Sequence, residues 1–253
     1  MKTKTIILII LMLGCTNVIG QNLKIKKKSS TYYKEIFSFD KKTKQKQGLY
    51  FKLRKSNKDT LTKGLFKADE RIGIWKFYDK KNRLYFIYDY DQNIAELEKG
   101  ELVNTDSVHV KMDNGFKLAK VDNPALYPGF KGEVKAKLME TFEPPISLFQ
   151  KEKSGFTIAS FEINEKGEVQ NIIIESTNNI DIEKAVKKSI KKIETKWIPA
   201  SIKNKPVISK MYVIYNISLT RDSNYEPIKR FKDKLDVIVL DFSYLGVSRQ
   251  KNR

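Results

Sequence analysis

The sequence predicts an α+β protein dominated by antiparallel strands, and three observations lead there. Short runs rich in aromatic and β-branched residues recur between about 30 and 105, each closed by polar turn residues, which is the pattern of a β-meander. A strand–turn–strand pattern from Phe156 to Ile174 is followed by one stripe of apolar residues at helical spacing. A long alternating run from Val207 to Leu219 completes a β-β-α-β order. The expected organisation is a signal peptide over 1–20, a hairpin region over 21–110, a β-β-α-β domain over 120–221 and a basic tail with one extra strand over 222–253.

In the leader, Lys2 and Lys4 precede an apolar run from Ile6 to Leu13, and smaller, more polar residues follow. These are the n-, h- and cleavage regions of an export signal. A membrane-spanning helix needs about 20 consecutive apolar residues, whereas the stretch to Gly20 is broken at Cys15, Thr16 and Asn17. Val18-Ile19-Gly20 suits signal peptidase cleavage before Gln21, and Met12-Leu13-Gly14-Cys15 resembles a loose lipobox that would lipidate Cys15. We therefore expect an exported protein, periplasmic or associated with the outer membrane. Cleavage before Gln21, lipidation at Cys15 and an uncleaved anchor remain alternatives.

The hairpin region begins with Lys24, Lys26, Lys27 and Lys28. Gly48 to Leu53, Lys63 to Phe66, Ile72 to Tyr78 and Leu84 to Tyr88 read as strands, with turns at 55–59, 68–71 and 79–82. The spacing Gly64-x8-Gly73-x-Trp75-x-Phe77-Tyr78-Asp79, with Asn82 and Leu84 beyond it, resembles one unit of the MORN-like repeats of bacterial YwqK-type proteins. A second, degraded unit lies around Gly48 to Lys58. That resemblance implies hairpins whose glycines permit close approach while Trp and Tyr stack on neighbouring units. A stacked apolar core is the plainer reading of the aromatic stripe than a sugar or lipid site. His109, within Val108-His109-Val110, is expected to be structural.

In the next region, Thr157, Ala159, Phe161 and Ile163 alternate onto one face, Asn164-Glu165-Lys166-Gly167 makes a hairpin turn, and Val169 with Ile172 to Ile174 returns. Asn178 and Asn179 offer capping side chains. Ile182, Val186, Ile190, Ile193 and Trp197 then form one stripe, with lysines off it and Pro199 as a stop. In the last strand Met211, Val213, Tyr215, Ile217 and Leu219 share a face opposite Tyr212, Ile214, Asn216 and Ser218.

This order resembles the TonB C-terminal domain family. Tyr127-Pro128-Gly129 stands for the family's leading YPGG, and Pro144-Pro145 for the Tyr-Pro before its first helix. Lys166-Gly167-Glu168-Val169 closes its hairpin motif, and Ile182-Glu183-Lys184-Ala185 replaces LDEEA. Lys196-Trp197-Ile198-Pro199-Ala200 matches KWxPG, and Lys205-Pro206-Val207 stands for GKPV. Phe130, Ala200 and Asn204 replace family glycines. The resemblance implies β-augmentation: the last strand, here Met211, Tyr212, Val213, Ile214, Tyr215, Asn216 and Ile217, would present an edge to an extended segment of an outer-membrane receptor or other envelope protein. Whether that edge is open, or covered by the tail strand Leu235 to Phe242, is left as an alternative. A Pro-rich periplasmic spacer, which a full transducer would carry, is missing from the seven scattered prolines.

Composition bounds the chemistry. A single Cys excludes a disulfide framework, a thiolate zinc site and a CxxC pair. A single His makes neither a His-based metal cluster nor a Ser-His-Asp triad. No phosphate loop or nucleophile elbow occurs, and Asp89 and Asp91 form an ordinary solvated pair. We expect a binding protein, not an enzyme, with no cofactor. The net charge of +19 could attract nucleic acid, lipid or polyanionic envelope material. Only 7 of the 49 basic residues are Arg, the residue that reads guanine, which speaks against nucleic acid. The second functional expectation is a structural or adhesive protein contacting anionic envelope polymers.

Overall fold

A computed structural model describes residues 22–30, 32–97, 107–150, 154–193, 195–219 and 236–244. The leader with Cys15, and the start of the tail, lie outside them. Fifteen strands and three helices occur among the described residues, and antiparallel pairing dominates, as an α+β sequence pattern requires. The chain divides into two compact units between Glu98 and Lys99.

The first unit is one seven-stranded meander in sequence order: β1 (Leu23–Ser29), β2 (Tyr33–Asp40), β3 (Lys46–Arg54), β4 (Thr60–Lys67), β5 (Glu70–Tyr78), β6 (Leu84–Asp89) and β7 (Ile94–Leu97). Alternation places Phe37, Tyr50, Phe66, Trp75, Phe77, Phe86 and Tyr88 on one face, all buried. Their rings touch in series: Tyr50 to Trp75 at 5.4 Å and Phe66 to Trp75 at 5.0 Å fall within the range of favourable aromatic pairs, and Phe77 stacks more closely still on Phe86 at 4.3 Å. The two glycines of the repeat-like spacing have distinct duties. A Cβ on Gly64 would overlap the Trp75 ring, so only glycine lets the indole lie across β4. Gly73 has φ +58°, a left-handed value that bends β5 between two register segments. Ala68 and Asp69 both have positive φ in the two-residue β4–β5 turn, the geometry that matches strand twist.

The second unit holds a six-stranded sheet built from β8 (Ser107–Met112), β9 (Gly115–Lys120), β10 (Gly155–Ile163), β11 (Val169–Thr177), β14 (Ser209–Ser218) and β15 (Val237–Ser243). A small hairpin of β12 (Ala200–Ile202) and β13 (Lys205–Val207) stands apart. Its helices are α1 (Glu133–Thr141), α2 (Ile146–Gln150) and α3 (Ile180–Lys191). The core joins Ala159, Phe161 and Ile163 of β10, Ile182, Val186 and Ile190 of α3, Val213, Tyr215 and Ile217 of β14, and Leu138 of α1. The predicted hairpin, helix and long strand therefore form with the predicted faces inward.

Three features differ from the sequence reading. The strand carrying His109 falls in the second unit, because β8 pairs with β14 through Val110 and Ser209. Helix α3 ends at Lys191 and not at Pro199: the Lys192 N–H bonds back to Ser189 and Ile190, and the Trp197 N–H donates to the Gly167 carbonyl at 2.7 Å. That bond draws the chain onto the hairpin turn, so Ile193 and Trp197 reach the core from outside the helix. Pro144-Pro145 precedes α2, which is the second helix; α1 lies ahead of it, with Glu133 and Leu138 as its buried residues.

Candidate functional site

The predicted recognition strand is β14. Met211, Val213, Tyr215 and Ile217 point into the core, while Tyr212 and Asn216 stay partly exposed on the other face, where Ile214 is buried. The backbone of β14 is not an open edge. One side carries nine antiparallel pairs with β10, from Gly155↔Ile217 to Ile163↔Ser209. The other side meets β8 at Ser209↔Val110 and then β15, in parallel, from Tyr212↔Val237 to Ser218↔Ser243. The tail thus covers Tyr212 to Ser218, which takes in every predicted residue except Met211, and this is the covered one of the two alternatives the sequence left open; Leu235 itself lies outside the described residues. The physical reason is visible in β15, whose alternate residues Ile238, Leu240 and Phe242 complete the apolar core.

Leu240 is fully buried. The Phe242 ring stacks on Tyr215 at 6.2 Å and meets Phe142 at 4.8 Å, and Tyr244 reaches Phe149 at 5.2 Å. Beneath the strand a chain of hydroxyls crosses the core: Tyr215 donates to Ser189 Oγ at 3.1 Å, Ser189 donates to the Leu138 carbonyl at 3.1 Å, and Thr141 Oγ1 lies 2.9 Å from Ser189 Oγ. Burial raises the Tyr215 hydroxyl above the ordinary tyrosine value, which keeps it a neutral donor.

The start of β15 is fastened by Asp236. Its carbonyl accepts the Tyr212 N–H at 2.7 Å. Its buried carboxylate lies 2.6 Å from His109 Nδ1 and accepts the His109 backbone N–H at 3.4 Å. The Tyr212 ring packs edge-on against the imidazole at 5.2 Å. His109 is therefore the residue that ties β8 to the incoming tail strand at the point where the flank of β14 passes from one to the other. Sequence reasoning placed His109 in a structural strand but had no means to see Asp236 as its partner, 127 residues away.

The remaining polar candidates serve turns. Asp89 accepts the N–H groups of Asp91 and Gln92, and Asp91 accepts that of Gly73. An open cavity of about 300 Å³ lies between the β10–β11 turn and the end of α3, with Val169, Ile172, Ile190 and Ile193 among its lining residues. At its mouth Lys196 and Glu168 lie 3.6 Å apart. Among the described residues no group of three or more His, Cys, Asp or Glu side chains could hold a metal ion, and no helix is long and apolar enough to cross a membrane.

The chain matches no family model, no curated protein and no solved structure.

Proposed function

We propose that the second unit recognises an extended peptide segment of a cell-envelope partner by strand addition to β14, the mode implied by its resemblance to the TonB C-terminal domain, and that the protein acts outside the cytoplasm beside outer-membrane transport proteins. One observation carries this reading: the outer flank of β14 already accepts a lone parallel strand through seven register pairs. Parallel neighbours in one sheet are joined by a long connection, here residues 219–236, so β15 reaches β14 from a distance along the chain. β15 is then an internal occupant, and its side chains describe the ligand the groove fits. An apolar residue at every second position, in the pattern of Ile238, Leu240 and Phe242, fills the pockets, and main-chain bonds supply the affinity. A partner segment must displace β15 or outcompete it, so binding is conditional and reversible.

The test is an NMR titration of the whole chain with N-terminal peptides of outer-membrane receptors carrying that alternation. The expected result is a shift of β14 amides together with loss of the β15 pairing. Shifts confined to other strands, or none, would sink the proposal.

A further inference from the structure

On the aromatic face of the first unit, cations and rings alternate across five consecutive strands. Lys24 of β1 stands opposite Phe39 of β2, and Phe39 stands opposite Lys46 of β3. The Lys46 ammonium lies 4.6 Å from the centre of the Phe66 ring of β4, and Phe66 stands opposite Arg71 of β5. The Arg71 guanidinium in turn covers Trp75 at 4.4 Å and donates to the Tyr90 hydroxyl at 2.8 Å. Strands sit about 4.8 Å apart, so the backbone positions that carry these cations, on every second strand, recur about every 10 Å across the sheet. Lys26 and Lys28 extend the β1 end of the line, since they stand opposite Phe37 and Glu35 on the same face.

Three properties make this row more than a solvated lysine face. First, two of the three cations are held in place: Lys46 is half-buried over two rings and Arg71 over three, which removes much of the flexibility that makes surface charges weak binders, while Lys24 stays exposed. Second, the nearby acids are engaged. Glu35 pairs with Lys52 at 3.5 Å, Asp69 accepts the Lys46 backbone N–H at 2.8 Å, and Asp40 accepts those of Lys42 and Thr43. Third, the Lys46 ammonium makes no ion pair among the described residues. Burial pulls its pKa below the ordinary lysine value, Glu35 and Asp69 partly offset this, and Arg71 and Lys28 add to the lowering. A desolvated cation with like-charged neighbours gains from an incoming anion.

We propose that the row of Lys24, Lys46 and Arg71 is a binding site for an extended acidic polysaccharide, lying across the strands with its carboxylates over alternate strands. A regular, linear array favours a stiff polymer with evenly spaced charges. Single-stranded nucleic acid gains most from rings open to base stacking, and here the rings at the centre of the row, Phe37, Phe66 and Trp75, are buried. A lipid surface requires apolar side chains beside the cations, whereas the exposed Leu49, Leu65 and Ile74 project from the opposite face. The site rests on the first unit alone and is independent of strand addition at β14.

The test is calorimetric titration of the whole chain with polygalacturonate oligomers, with dextran as the neutral control. The pair Lys24→Gln with Lys26→Gln lies at exposed positions of β1, so folding is left intact. It is expected to weaken polygalacturonate binding about tenfold, two charge contacts being removed. The pair Lys27→Gln with Lys63→Gln takes the same charge from the opposite face and is expected to change affinity by less than about twofold. Equal loss in the two pairs would show a diffuse field and overturn the site. Equal binding of dextran, or tighter binding of single-stranded DNA or of phosphatidylglycerol vesicles at matched charge, would overturn the ligand class.

Discussion

Leu240→Ala tests most simply whether β15 is a removable occupant. Leu240 is fully buried where β15 completes the core, and truncation of such a leucine costs about 2–5 kcal/mol. If about 3 kcal/mol of that falls on the pairing of β15 with β14, the ratio of open to closed strand rises about 150-fold. A ligand that binds only the open form then gains apparent affinity by up to that factor, because less of its binding energy is spent on displacement. The assay is fluorescence anisotropy with a labelled peptide copying residues 236–244, added to the intact chain and to the variant. Near-UV circular dichroism reports whether the second unit stays folded. Asp236→Asn is the companion variant: it weakens the fastening to His109 without opening a core cavity, and a loss of about 1–1.5 kcal/mol predicts a gain of about tenfold. If both variants are less stable than the parent yet bind the peptide no better, β15 is an ordinary core strand and the reasoning fails.

Two further outcomes follow from the packing. Gly64→Ala forces a Cβ into the Trp75 ring, and overpacking of this kind costs about 1–3 kcal/mol, so the first unit should melt several degrees lower in a thermal scan while Leu65→Ala, at a more exposed position, changes little. Glu143 accepts from Lys188 at 2.7 Å and Lys192 at 2.9 Å, and those hydrogen bonds hold its pKa at about 2, below its ordinary 4.5. A depressed carboxylate stabilises above its unfolded pKa and loses that contribution as pH falls, so the effect fades between pH 4.5 and about 2. NMR titration of Glu143 should show this low midpoint, and Lys188→Ala should move it upward; an ordinary midpoint in the parent would contradict the pair.

The parts legible in the sequence were those whose signal is local. The alternation of Thr157, Ala159, Phe161 and Ile163, the turn at Gly167 and the stripe of Ile182, Val186 and Ile190 each lie within one element, and each formed as read. Helix α1 escaped because its nine residues carry a weak apolar stripe, with Glu133 buried where a hydrophobic residue would be expected. The covering of β14 was legible only as an alternative. Val237 to Leu240 are continuously apolar, which marks a strand but names neither its neighbour nor its direction. The His109–Asp236 contact and the cation–ring row depend on register between distant residues or across five strands, and neither leaves a trace in spacing.

Locking the flank of β14 would reveal whether an extended segment exchanges there, as proposed. Ser218 and Ser243 are register partners at the far end of β15, and parallel neighbours lie within the Cα separation that a disulfide spans, about 4.4–6.8 Å. In the chain carrying Ser218→Cys and Ser243→Cys, affinity for a peptide of the β15 pattern is measured before and after reduction. No binding is expected while the strand is tethered, and binding should recover when the bond is reduced. Equal affinity in the two states would place the peptide elsewhere and contradict that exchange.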